Sequence, residues 1–346
     1  MGMLASIPVD EIRRRGSIRD SDVVALRAAY TAHDEITAED ADALFDIHAA
    51  TPIQDPSWTD LFIEIVSDFI IEQSAPAGYM VEENSRWLIE RVSTFGRIET
   101  TSELALLLNV LECARWSPPT LAAFALDQIR HAVQSGKGPL RSGRRVPDGT
   151  ISAAEVALAG RILSAFGRET NLAITRTEAE ALIAINRAIP LGGASPAWSE
   201  LLVRTVGSGV LASLGHAVAP RREIIESLGN PDGASELIAM LLGDTAGHLD
   251  QTGYAAQSSA AACRIWRSAR LLTSEERALV RLERQRLEIV TNEVIEETTD
   301  VWLIDTLARS RPDDETEAAL LGFILREASQ LSPEIEQYAR RRAIAA

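Results

Sequence analysis

Asp55-Pro56-Ser57-Trp58-Thr59-Asp60-Leu61 and Ser195-Pro196-Ala197-Trp198-Ser199-Glu200-Leu201 read as one helix start written twice. Each places a capping side chain just before a proline at the first helical position, where the missing N–H costs nothing. A matching stretch precedes each: Ile36-Thr37-Ala38-Glu39-Asp40-Ala41-Asp42-Ala43-Leu44, against Ile174-Thr175-Arg176-Thr177-Glu178-Ala179-Glu180-Ala181-Leu182. Further on, Trp87-Leu88-Ile89-Glu90 answers Trp302-Leu303-Ile304-Asp305. Glu103, Leu107, Leu111 and Ala114 then match Glu317, Leu321, Leu325 and Ala328, and Ser117-Pro118 matches Ser332-Pro333. Matches kept in the same order predict a duplication. Trp87 follows Trp58 by 29 residues, whereas Trp302 follows Trp198 by 104, so the second copy carries 75 extra residues.

The predicted fold is all-α. Ala and Leu dominate, neither loses much rotamer freedom in a helix, and no run alternates β-branched residues as a strand would. Phe62, Ile65, Val66, Phe69 and Ile70 form one stripe at core-facing helical spacing, as do Leu104, Leu107, Leu108, Leu111 and Ala114. The organisation read from the chain is a flexible lead-in over 1–20, a first helical unit over 21–133 and a linker over 134–149. A second unit over 150–346 follows, with a helical insertion at about 214–290. The paired tryptophans Trp58, Trp198, Trp87 and Trp302 are expected to be packing anchors rather than a ligand platform.

The net charge of −16 argues against a nucleic-acid partner, because a polyanion is repelled without a compensating basic patch. No apolar run reaches the ~18–20 residues that a membrane span needs, so no membrane insertion is expected. Nor is there the charged, then apolar, then small-residue order of a signal peptide. A cytoplasmic protein is the expectation. Cys113 and Cys263 lie in apolar surroundings that suit small buried hydrophobes rather than a disulfide framework. Lys137 is the only lysine, which confines lysine-centred chemistry to one residue.

One short pattern recurs: a turn, an aliphatic residue, a capping residue, and an acid three or four positions on. It occurs at Ile36-Thr37 with Asp40, Ile98-Glu99 with Glu103, Leu272-Thr273 with Glu276, and most clearly at Asp148-Gly149-Thr150-Ile151-Ser152 with Glu155. In these pieces the chain resembles the TerB-like (tellurite-resistance type) helical family and, more distantly, the second half of an EF-hand loop. It is also similar to a duplicated helical family of alphaproteobacteria, a similarity that brings no function with it.

A calcium loop needs oxygen ligands at its first, third and fifth positions and a bidentate acid at the twelfth. Counting back from Glu155 puts Arg144 and Val146 at the first and third; counting back from Asp40 puts Ala29 and Thr31 there. A standard calcium loop is excluded at both, and a turn followed by a capping box explains the pattern without metal. Asp148 and Glu155 remain the best carboxylate pair for a weakly held divalent ion. A second candidate is Asp244 with His248, at i and i+4 inside the insertion, with Asp250 nearby. The acidic group from His33 to His48 reads as a solvated face.

No Gly-rich phosphate loop with lysine, His-Glu-x-x-His, paired-cysteine motif or Gly-x-Ser-x-Gly elbow occurs. No catalytic residue is therefore singled out, and no cofactor is expected beyond such an ion. The favoured expectation is a non-catalytic cytoplasmic helical scaffold or sensor that binds a protein partner or self-associates. The alternative is an enzyme or small-ligand binder with its site between the two units, lidded by the insertion.

Overall fold

The computed structural model describes residues 2–33, 35–142, 146–165, 173–229, 299–309, 311, 313–328 and 331–345, with Ala278 and Leu282 as isolated positions. Fourteen α-helices fall in these stretches. The first seven are α1 (Val9–Arg15), α2 (Asp20–Ala32), α3 (Ala38–Ala50), α4 (Pro56–Ser67), α5 (Glu82–Val92), α6 (Thr101–Cys113) and α7 (Pro119–Ser135). They are followed by α8 (Ala153–Ala165), α9 (Arg176–Ala188), α10 (Pro196–Ser213), α11 (Arg221–Ser227), α12 (Thr299–Ala308), α13 (Glu315–Glu327) and α14 (Pro333–Ala345). Two two-residue strands, β1 (Ser17–Ile18) and β2 (Ile53–Gln54), pair in parallel with Ser17 opposite Ile53. The fold is all-α, as the composition predicts.

The helix starts follow from local chemistry. Thr37, Thr100 and Thr175 each accept from the backbone N–H three residues on, while Asp40, Glu103 and Glu178 reach back to the cap N–H. Each such box satisfies two of the four donors that a helix start leaves without partners. Asp55 and Ser195 cap α4 and α10 ahead of the proline, as read from the sequence. At its other end α7 stops at Gly136, whose φ of 64° is left-handed.

Packing is continuous from one half to the other. The buried side chains form a single apolar cluster running from Met3 to Ala339. Within it α7 lies against α9, α10 against α13, and α4 against α6 and α2. Trp58 and Trp198 are wholly buried, Trp302 is buried, and Trp87 is half-buried.

The tryptophans make corresponding bonds in the two halves. Trp58 Nε1 donates to His48 Nδ1 at 3.2 Å, and Trp198 Nε1 donates to Asn186 Oδ1 at 3.1 Å. His48 and Asn186 each stand eleven residues after their helix cap, Thr37 or Thr175. Trp87 Nε1 donates to Asp42 at 3.3 Å, and Trp302 Nε1 to Glu180 at 2.7 Å, both acceptors lying five residues after the same caps. Thr59 bonds Ser102 at 3.0 Å where Ser199 bonds Thr316 at 2.7 Å.

Two expectations are corrected. Residues 2–20 are not a loose lead-in: Met3, Leu4, Ile12 and Ile18 are buried, because apolar side chains near a chain end gain as much from burial as those elsewhere. The stretch read as a linker buries Pro139, Leu140 and Arg141, so it is part of the packing despite its glycines. Cys113 is buried in apolar surroundings, as read from the sequence, and Cys263 lies outside the described residues. The insertion is described only over 214–229 and at positions 278 and 282.

Trp198→Ala should cost ~3–5 kcal/mol, from lost packing and from an Asn186 carbonyl left without its donor. Urea unfolding measures this, and a loss well under 1 kcal/mol would remove the anchor role.

Candidate functional site

A capping-box carboxylate uses only part of its hydrogen-bonding capacity, since two oxygens accept about four bonds. In this chain the remaining capacity is taken up by other segments. At α8, Glu155 accepts from Ser152 N and Oγ at 2.8 and 2.9 Å. Arg141 then meets it, with Nε 2.8 Å from Oε1 and Nη2 bonded to Oε2 at 3.1 Å. Both side chains are almost completely buried, Glu155 at 1% exposure.

The same arrangement recurs with different donors. At α9, Glu178 is wholly buried and held by both arms of Arg221, at 2.9 and 2.8 Å. Arg221 also donates to the carbonyls of Ala173 and Leu163, tying α11 to the start of α9 and the end of α8. At α2 the box acid Asp22 pairs with Arg15. At α3, Asp40 accepts the backbone N–H groups of Met3 and Leu4 at 3.1 and 3.0 Å. Burial pushes Asp40 up, yet the bonds from Leu4, Thr37 and Met3 outweigh it and leave its carboxyl below the usual range. At α13, Glu317 lies 3.7 Å from Arg342 of α14.

These partners bear on two of the metal candidates read from the sequence, Asp148 and Glu155. Glu155 is engaged by a guanidinium, which supplies the positive charge that an ion would otherwise bring. Asp148 is exposed at the end of α7, with Oδ1 filling the space that a side chain at Gly136 would need. Asp244, His248 and Asp250 lie outside the described residues, as does the Thr273–Glu276 capping box. Among the described residues, no three His, Cys, Asp or Glu side chains converge as a metal site.

The acidic stretch from His33 to His48 is not wholly solvated. Asp40 and His48 are buried because they face the core side of α3, while Glu39 and Asp46 are exposed. His48 stacks on Phe62 with ring centroids 4.7 Å apart, and burial lowers its pKa to about 4. Its Nδ1 accepts from Trp58 at 3.2 Å and its Nε2 lies 3.4 Å from Thr100 Oγ1, the pattern of a neutral ring protonated at Nε2.

Two clefts open on the second half. One of about 240 Å³ lies beside Asn186, Ser199, Arg311, Asp314 and Thr316. There Asn186 bonds both oxygens of Asp314 at 3.2 and 3.1 Å, and Arg311 reaches the same carboxylate at 3.1 Å. The other, about 510 Å³, lies between α8, α10 and α11, with Val156, Ala157, Leu201, Ile225 and Leu228 among its walls. Burial raises the pKa of Asp60, Asp68, Glu103 and Tyr30, but none of these lines either cleft. The arginines that meet the cap acids carry no local signal in the sequence. A guanidinium 14 or 43 residues from its carboxylate becomes a partner only once the helices pack.

Arg141→Met should destabilise by about 3–5 kcal/mol, because it leaves Glu155 buried without its cation. Millimolar calcium should not restore the loss in urea unfolding; recovery would place an ion where the guanidinium sits. His48 generates a pH dependence of known sign. Its folded pKa lies below the unfolded value, so its stabilisation is complete above the unfolded pKa and is lost as pH falls toward about 4. The component is about 3 kcal/mol from a shift of roughly two and a half pH units. His48→Asn, which installs the residue found at the matching position of the second half, should keep an acceptor for Trp58 and flatten this component. Unfolding of both proteins at pH 4 and pH 7 tests it, and equal acid sensitivity in the two would count against the assignment.

No family model, curated protein or solved structure matches the chain, so its function must be argued from its own residues.

Proposed function

We propose that this protein is a non-catalytic helical scaffold, assembled from two related units, that binds a protein partner. The observation carrying this reading is that the acids and bases whose pKa burial shifts do not coincide with the clefts. Active sites place perturbed acids and bases where a substrate can reach them. Here the cap carboxylates Asp40, Glu155 and Glu178 are engaged in holding segments together. The groups shifted by burial line neither cleft. The bonds made at matching offsets by Trp58 and Trp198, and by Trp87 and Trp302, support the two-unit description. Among the described residues, no helix is long and apolar enough to cross a membrane.

The second reading, a small-ligand protein, draws support from the polar cleft beside Asn186, Arg311 and Asp314. That cleft lies within the second half, and the two halves meet through α7 packed directly on α9.

Native mass spectrometry of the purified chain separates the two readings. The scaffold reading expects no stoichiometric small-molecule or metal adduct, and chelation should leave thermal stability unchanged. A retained adduct that is lost on Arg311→Ala would overturn it in favour of the ligand-binding reading.

A further inference from the structure

Thr94 and Arg97 exchange both backbone hydrogen bonds, at 2.9 and 3.1 Å, which closes a two-residue turn between α5 and α6. Its central residues, Phe95 and Gly96, both have positive φ, 52° and 76°. Such turns favour Asn-Gly or Gly-Gly, since a Cβ is strained in the left-handed region. Phe95 is the one non-glycine residue with positive φ among the described residues, and it is 100% exposed. Two costs therefore coincide: a strained backbone and a fully hydrated phenyl ring. Asn or Gly at this position would relieve both.

The turn is also held rigidly. Buried Gln128 of α7 accepts from Ile98 N at 3.0 Å and donates to the carbonyls of Gly96 and Phe124 at 3.2 and 3.1 Å. The display is thus preorganised, which lowers the ordering cost of binding. Arg97, two residues on, is exposed and within electrostatic reach of His131 of α7; Asp127 pairs with Arg130 and His131, and Glu99 is also exposed.

A complement to this tip lies on the chain itself. The 510 Å³ cleft between α8, α10 and α11 offers apolar walls for a phenyl group, with Glu200 and Glu226 at its edge. Each of those acids also has an arginine one helical turn away, Arg204 or Arg222, and Arg161 in the cleft pairs with Glu112. Both of those helix pairs are solvent-exposed and weak, which leaves the two carboxylates able to meet an incoming guanidinium.

We propose that the chain self-associates head to tail, with Phe95 of one copy seated in the cleft between α8, α10 and α11 of the next and Arg97 set against Glu200 and Glu226. This rests on the scaffold reading and makes a second copy the partner. The two surfaces differ, so the contact is heterologous and generates a ring or an open chain of copies.

Sedimentation of the full chain across the micromolar range tests the proposal. The weight-average mass should rise with concentration. Phe95→Asn, which suits the left-handed position, should weaken association at least tenfold without lowering the melting temperature. Ala197→Trp, at an exposed position in the cleft, should do the same. Mixed together, the two variants should form a dimer that grows no further, because one retains the cleft and the other retains Phe95. A wild-type chain that stays monomeric overturns the proposal, as does association that survives Phe95→Asn, or a mixture that stays monomeric. A monomeric wild type without adducts would leave the scaffold reading in place with a different protein as partner.

Discussion

The structure depends on the capping carboxylate that also accepts from a distant segment. A box acid alone organises one helix turn and contributes about as much as any cap. When Arg221 closes on Glu178, that local device becomes a tertiary joint linking the starts of α9 and α11 with the end of α8. Arg141 on Glu155 does the same for the connection between α7 and α8. Without its cation each carboxylate would be a buried charge, and that penalty makes the joints all-or-none.

The two halves make comparable joints with different chemistry. Backbone N–H groups of Met3 and Leu4 meet Asp40, where a guanidinium meets Glu178. An imidazole accepts from Trp58, where a carboxamide accepts from Trp198. The geometry needs an acceptor eleven residues after the cap, and either side chain supplies one. Only the imidazole titrates, so the first half carries an acid sensitivity at this position that the second lacks.

Within this framework, Phe95 stands apart. Nearly every other large apolar side chain described is at least partly covered, and its backbone is relaxed. A residue that is both strained and hydrated is ordinarily explained by what it touches outside the molecule. The interest of the protein therefore shifts from its clefts to its surface.

Helix type and several helix starts were legible in the sequence because they are governed by neighbours three or four residues away. Thr37 with Asp40, Thr175 with Glu178, and Asp55 and Ser195 ahead of proline act through bonds within a single turn. Words recurring in the same order singled out four tryptophans, whose indole acceptors lie five or eleven residues after Thr37 and Thr175. Composition could not reveal that residues 2–20 and the stretch around Leu140 join the core, since burial depends on what packs above them. Nor could it reveal that Glu155, read as a metal-ligand candidate, faces Arg141. Glu155 and Asp148 look alike as letters, yet one is buried under Arg141 and the other lies exposed against Gly136. Capping is a short-range interaction and can be read along the chain. The partner of a buried charge is chosen by three-dimensional packing, which the tertiary structure alone decides.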